Sequence, residues 1–270
     1  QNKKPFGWKF NHCKIMLIKS VSIELIPQLK DNYSYVIKDN LSNDIIIIDP
    51  AESELILEKI KNKKLQLKAI LLTHHHNDHT AGVSDILKFF SVPVYSPSKN
   101  ILGTSFEVSD NDEIKTSFIN FKVISTKGHT LDHIVFYNKD NGILFSGDTL
   151  FRLGCGRVFE GTFEDMHTSL KKLEKIDNET LVFCGHEYTL NNLAFLKSTF
   201  PEFNGLDEEE KEIKDQLKKT NSSIPFNLGK EKAINPFLSS KAMYYEKFKK
   251  TKNLNDFEMF SFIRKLKDNF

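Results

Sequence analysis

Residues 70–82 read ILLTHHHNDHTAG. An apolar run ends at Thr73, and four histidines and an aspartate then fall within His74–His79. A surface tag, a stack of core histidines and a metal site are the candidate explanations. A tag has no reason to sit between a buried strand and a helix. Polar groups crowded at the end of an apolar strand are costly to bury without a shared partner. His74 and His76 are two apart, so at a strand end both side chains point the same way. Asp78 and His79 follow the turn toward the next helix and can point back. Imidazole and carboxylate suit zinc, iron or manganese. His75 and Asn77 read as spacers.

Working outward, the segments 21–26, 33–38 and 44–49 are short, β-branched and bounded by turn residues, and they predict strands. Residues 52–62 have helical spacing, 67–73 form a buried strand, and 83–90 form a helix closed by Pro93. Short strands return over 105–147, followed by a helix at 163–175 and a strand at 180–185. Beyond Tyr188 no strand-like run appears, and 207–220, 241–250 and 256–268 look helical and charged. The expected organisation is an N-terminal extension (1–20), a domain of sheets covered by helices (21–188) and a small helical domain (189–270).

Composition narrows the function. The chain has 270 residues and a net charge of +2, from 38 basic and 36 acidic groups, which creates no general field for nucleic acid or anionic lipid. No apolar run reaches the roughly 18–20 residues that span a bilayer. Three cysteines, Cys13, Cys155 and Cys184, argue for a reducing compartment, with cytoplasm expected unless the basic start is an organellar transit remnant. A monomer is expected.

Further ligands must come from elsewhere. His129 in STKGHTLDH, Asp148 in ILFSGDTLF and His186 in LVFCGHEYT each follow a glycine near the end of an apolar segment. The glycine is expected to let the backbone approach an ion. Asp49 reads equally as a residue orienting a histidine or as a turn aspartate before Pro50. Cys155 and Cys184 read as small buried thiols rather than soft ligands.

Together THHHNDH, GHT, GDTLF and GHEYT resemble the metallo-β-lactamase superfamily. Within it GCGRVFEGT (154–162), CGHEYT, LIPQLKDNYSYVI (25–37) and the terminal RKLKDNF resemble glyoxalase II, the hydroxyacylglutathione hydrolase family. The resemblance implies an α/β fold, an αββα metallo-β-lactamase sandwich with a C-terminal helical domain. It implies two divalent metal ions, zinc first with iron or manganese as alternatives. One would be held by His74, His76 and His129, the other by Asp78, His79 and His186, with Asp148 bridging beside a metal-bridging hydroxide that Asp78 is expected also to orient. Seven ligands exceed the four that one zinc prefers. The implied reaction is hydrolysis of S-D-lactoylglutathione to D-lactate and glutathione, and methylglyoxal detoxification is the implied pathway. The thiolate leaving group needs little acid assistance, its parent thiol having a pKa of about 8.5.

Only Arg152, Arg157 and Arg264 are arginines. Arginine grips a carboxylate with a fixed two-donor fork that lysine lacks. The resemblance implies that Arg157, Tyr188, Arg264 and Lys267 contact glutathione. Phe159 stands in the same substrate group, where some members carry tyrosine. Without the resemblance, Arg264 and Lys267 read as a basic helix C-terminus facing water. The loop GHTLDH departs from the commoner GHTxGH by Asp132, and His133 reads as orienting a ligand or as packed. Arg152, Trp8, His12 and His167 receive no role. Competing readings are a mononuclear-iron glutathione persulfide dioxygenase and a non-catalytic metal-binding protein.

Overall fold

The computed structural model describes residues 14–203, 205–242 and 245–270. Trp8, His12, Cys13 and most of the expected extension lie outside the described residues. The chain divides into two compact units, the first built from residues up to Ser125 together with Ile134–Asn141, the second from Thr126–His133 together with Gly142–Phe270.

The first unit contains β1 (Lys14–Ile18), β2 (Val21–Gln28), β3 (Asn32–Asp39), β4 (Asp44–Ile48), α1 (Glu54–Lys63), β5 (Gln66–Leu71), α2 (Asn77–Thr80), α3 (Val83–Leu87), β6 (Val94–Ser96), β7 (Phe106–Glu107), β8 (Glu113–Lys115), β9 (Asn120–Ser125) and β10 (Ile134–Asn138). Strands β1 to β7 form one sheet in sequence order. Its first four strands are antiparallel neighbours, and from β4 onward the pairing is parallel. The switch explains the sequence of β4. A strand in the parallel part is covered on both faces and reads as an unbroken apolar run, and Ile45–Ile48 are all buried. Ile56 and Ile60 of α1 and Val83 and Ile86 of α3 join Ile45, Ile47, Ile70 and Leu72 in one core. Strands β8, β9 and β10 pair antiparallel.

The predicted extension over 1–20 contains β1, whose Lys14–Ile18 pair with Leu25–Val21 of β2. Its five residues alternate between half-buried and exposed. So weak a two-faced pattern becomes a strand because an edge of β2 is there to receive it. The helix predicted over 83–90 ends as α3 at Leu87.

The second unit contains β11 (Ile143–Gly147), β12 (Leu150–Phe151), β13 (Gly154–Cys155), α4 (Phe163–Glu174), β14 (Leu181–Cys184), α5 (Thr189–Thr199), α6 (Gly205–Thr220), β15 (Phe226–Asn227), α7 (Leu228–Ile234), α8 (Tyr245–Lys252) and α9 (Asp256–Asp268). β11 runs parallel to β14, and β14 pairs antiparallel with β15. Among the described residues the sequence beyond Tyr188 therefore returns once to a strand, two residues long and too short to carry a periodicity. α4 and α9 begin with reciprocal capping boxes, Thr162 with Asp165 and Asn255 with Glu258, which satisfy amides the first turn leaves open.

The turn between β12 and β13 is braced from α7. Glu231 accepts a hydrogen bond from the Leu153 amide at 2.8 Å, and Asn235 donates to the Gly154 carbonyl at 3.1 Å. Arg152, given no role by sequence, is buried and donates to Glu209, Gln216 and the Ser223 carbonyl. It ties this turn to α6. A buried guanidinium so paired is destabilised strongly if one partner is lost.

Candidate metal and substrate site

In the first unit the site is built on the ends of β4 and β5. Asp49 follows β4 in the left-handed region, φ +49°, a conformation that aspartate tolerates better than most residues. It is 3 % exposed. One carboxylate oxygen accepts from the Thr73 amide at 2.8 Å, and the other accepts from the Thr73 hydroxyl at 2.7 Å and from His79 Nδ1 at 2.9 Å. Of its two sequence readings, the buried geometry is that of an orienting residue.

These bonds fix tautomers. The Thr73 hydroxyl gives its proton to Asp49, so its oxygen accepts from His74 Nδ1 at 3.0 Å. His74 therefore carries its lone pair on Nε2, and His79, donating from Nδ1 to Asp49, does the same. His74 Nε2 lies 3.1 Å from His76 Nδ1, and His79 Nε2 lies 3.9 Å from Asp78 Oδ2. Asn32 donates to both the backbone carbonyl and Oδ2 of Asp78, each at 3.0 Å. Sequence reasoning missed Asn32, although it lies inside the LIPQLKDNYSYVI stretch. His75 is exposed.

In the second unit His129 and His186 converge on one carboxylate. His129 Nε2 lies 3.3 Å and His186 Nε2 3.2 Å from the same Oδ2 of Asp148. All three residues are nearly inaccessible to water. His129 Nδ1 donates to the Arg157 carbonyl at 2.9 Å, which again puts a lone pair on Nε2. A lone pair facing a carboxylate oxygen is unfavourable unless a cation lies near both. His133 accepts the Asp148 amide on Nε2 at 3.0 Å, so its proton is on Nδ1, beside the Thr126 and Thr149 hydroxyls at 2.9 and 3.1 Å. It therefore holds the Asp148 backbone in place.

This donor set fits metal. Neutral imidazoles with Nδ1 bonded to a carboxylate, hydroxyl or carbonyl and Nε2 left as the ligand atom are the usual arrangement behind metal-binding histidines. Histidine and aspartate atoms able to hold an ion cluster here. The ligand atoms of His74 and His76, of His74 and His79, and of Asp78 and His79 lie within 4.8 Å of each other. Cys155 and Cys184 are buried, and burial pushes both thiols up, so they are packed groups rather than thiolates.

The glycine before His129 has a different use from the one expected. Gly128 has φ +142°, and a Cβ there would lie 2.7 Å from Met166 Cβ. The glycine serves the turn and the packing on α4.

The basic residues of the second unit form a second group. The Arg157 guanidinium, 60 % exposed, lies over the Phe159 ring at 5.5 Å. Phe159 is 61 % exposed and meets the His129 ring edge-on at 5.2 Å. Tyr188 stacks on His186 at 4.7 Å and 6° and is 37 % exposed. Arg264 is not solvent-facing. It is 4 % exposed and donates to the Cys155 carbonyl at 3.0 Å and to Asp268 at 2.9 Å. Lys267 donates to the side chain and carbonyl of Asn191. Burial, followed by the nearby charge of Arg264, pushes its ammonium down to about 8.

Comparisons with known proteins agree with this geometry. Residues 29–186 match the family model of the metallo-beta-lactamase superfamily, and residues 187–270 match that of the hydroxyacylglutathione hydrolase C-terminus. Among solved structures, ETHE1 from Myxococcus xanthus has a TM-score of 0.62 at 23 % identity over 88 % of this chain and 94 % of its own. The B3 metallo-β-lactamase BLEG-1 has a TM-score of 0.60 at 23 % identity over 80 % and 99 %. These likenesses define the class by its fold, the metallo-β-lactamase fold with a C-terminal helical region. The hydroxyacylglutathione hydrolase of Chromohalobacter salexigens is 41 % identical over 79 % of this chain and 84 % of its own. That of Erwinia tasmaniensis is 38 % identical over 93 % and 100 %. The chain belongs to the hydroxyacylglutathione hydrolases of the metallo-β-lactamase superfamily. Among the described residues no helix is long and apolar enough to cross a membrane.

Proposed function

We propose that this chain hydrolyses S-D-lactoylglutathione to D-lactate and glutathione. The observation that carries the reading is the helical part, 187–270, which matches the C-terminal family model along its whole length and brings Tyr188, Arg264 and Lys267 with it. We also propose the ligand division: His74, His76 and His129 for one divalent ion, Asp78, His79 and His186 for a second, and Asp148 shared. The buried, tautomer-fixed imidazoles and the imidazole–carboxylate approaches within each unit support it. The nitrogen and carboxylate donors favour zinc, with iron or manganese accepted by the same set. Bound there, the ions would supply a water acidified toward a pKa of ~7 and a Lewis acid for the thioester carbonyl.

The chain's own residues do the rest. Asp49 keeps His74 and His79 in the tautomer that presents Nε2, the first of them through the Thr73 hydroxyl. Asn32 holds the Asp78 carboxylate so that it can orient the attacking water. Phe159 and the Tyr188 ring offer apolar surface, and Arg157, Arg264 and Lys267 set a positive field for the carboxylates of the glutathione moiety. We assign the ligand role to residues 21–188, and the substrate grip to Arg157, Phe159 and Tyr188 of that stretch together with Arg264 and Lys267 of 189–270.

The test is thiol release from S-D-lactoylglutathione, with oxygen uptake followed in the same vessel. Thiol release without oxygen consumption is expected. Oxygen uptake with one iron and no thiol release would favour the persulfide dioxygenase. The pH profile carries a second expectation. Lys267, with its pKa lowered to about 8, is charged below that value and loses its charge above it. KM for the anionic thioester should therefore rise as pH passes 8. Lys267→Arg, which stays charged, should flatten that rise.

A further inference from the structure

Resting on that reading, we propose that Asp268 is the positioning residue that arranges the arginines for the glutathione moiety. It lies in the last turn of α9, and one oxygen serves both arginines. Oδ1 accepts from Arg264 Nη2 at 2.9 Å and lies 3.8 Å from Arg157 Nε. Its side chain is 23 % exposed, so the pairing is only partly screened.

The two arginines stand in different situations. Both terminal nitrogens of Arg264 are engaged by the protein, while its buried Nε has no hydrogen-bond partner among the described residues. Nη1 donates to the Cys155 carbonyl and approaches Cys155 Sγ at 3.7 Å, Nη2 is on Asp268, and the guanidinium lies 5.4 Å from the Phe237 ring centroid. Its fork is spent on α9 and on the residue two before Arg157. Arg157 is mostly exposed, and its terminal nitrogens make no hydrogen bond among the described residues. Asp268 approaches it at Nε, and Phe159 lies under its guanidinium face.

This arrangement pre-organises a guanidinium. Asp268 and Phe159 restrict a long side chain from two directions and leave the Nη donors to a carboxylate, so less rotamer entropy is lost on binding. Asp268 also offsets the repulsion between two guanidiniums that share one region. Phe159 needs no hydroxyl for its part, since the ring face holds the cation. Asp268 acts through Arg157 and touches no reacting atom.

The experiment measures Asp268→Asn, Asp268→Glu and Arg157→Ala with S-D-lactoylglutathione. S-lactoyl-N-acetylcysteamine, a thioester without the glutathione carboxylates, is the control. In Asp268→Asn, KM for the glutathione thioester is expected to rise about tenfold with kcat within about twofold, and the control is unaffected. The effect should shrink to less than about twofold in the Arg157→Ala background, because the two residues act as one unit. Asp268→Glu should recover part of the loss, and it carries the test alone should the asparagine chain fail to fold. An unchanged KM, an equal loss on both thioesters, or an undiminished effect without Arg157 would overturn the inference and leave the proposed function standing. A wild-type chain that does not hydrolyse the glutathione thioester would overturn both.

Discussion

Asp148→Asn is expected to lower kcat/KM for a glutathione thioester by about a thousandfold or more while the fold persists. The substitution keeps shape and volume and removes one negative charge. That charge is what His129 Nε2 and His186 Nε2 approach at 3.3 and 3.2 Å. On the proposed ligand division, an amide in its place would offer a weaker ligand oxygen or turn an NH2 donor toward the ions. Loss of the shared carboxylate would then remove stabilisation from both ions at once, and metal assistance is worth several kcal/mol. Bound metal should fall below the wild-type value. The backbone amide of Asp148 still reaches His133, so the melting temperature should move little relative to wild-type protein stripped of metal. Wild-type turnover in this variant would remove Asp148 from the site.

Gly156→Ala should be strongly damaging, its added Cβ meeting the shortest backbone contact among the described glycines. A Cβ at Gly156 would lie 1.9 Å from the Asp148 carbonyl oxygen, well inside contact distance, and 3.4 Å from His129 Cβ. The Gly156 amide also donates to the Thr149 carbonyl at 3.1 Å, so the two segments cannot simply separate. Backbone must move, and it carries Asp148 at one end and Arg157 at the other. Overpacking of this kind costs about 1–3 kcal/mol and occasionally more, and a clash with backbone belongs at the upper end. Thermal unfolding together with metal content is the check. Destabilisation with most of the bound metal lost is expected, and an alanine chain with native melting temperature and metal would show that the segment can yield.

Much of this architecture is legible in the sequence because it is local. An apolar strand followed by histidines two apart places β5 to within two residues, its observed end being Leu71 rather than Thr73, and shows that His74 and His76 follow it. The same logic, apolar run then glycine then His or Asp, finds His129, Asp148 and His186. What escapes local reading is the identity of partners far along the chain. Nothing around Asn32 says that its amide will reach Asp78, forty-six positions later. Asp49 is ambiguous until Thr73 and His79 are seen on its carboxylate. Arg264 reads as a surface cation because its helix is charged, yet α9 is amphipathic and Arg264 lies on the same face as the buried Phe260 and Ile263. Its one-turn partner Asp268 reads only as the end of the helix. Arg152 has no local signal, since its partners come from α6 and the segment before β15. The strands β1 and β15 are missed because their pairing partners define them.

The central claim of the proposed function is a pair of divalent ions that share Asp148. Metal content per chain, measured against thiol release as stripped protein is reloaded, tests it most directly. The account predicts that activity is absent without metal, that full activity requires two divalent ions per chain, and that Asp148→Asn does not reach that value. Full thioesterase activity at one ion per chain, with no further gain on adding a second, would contradict it.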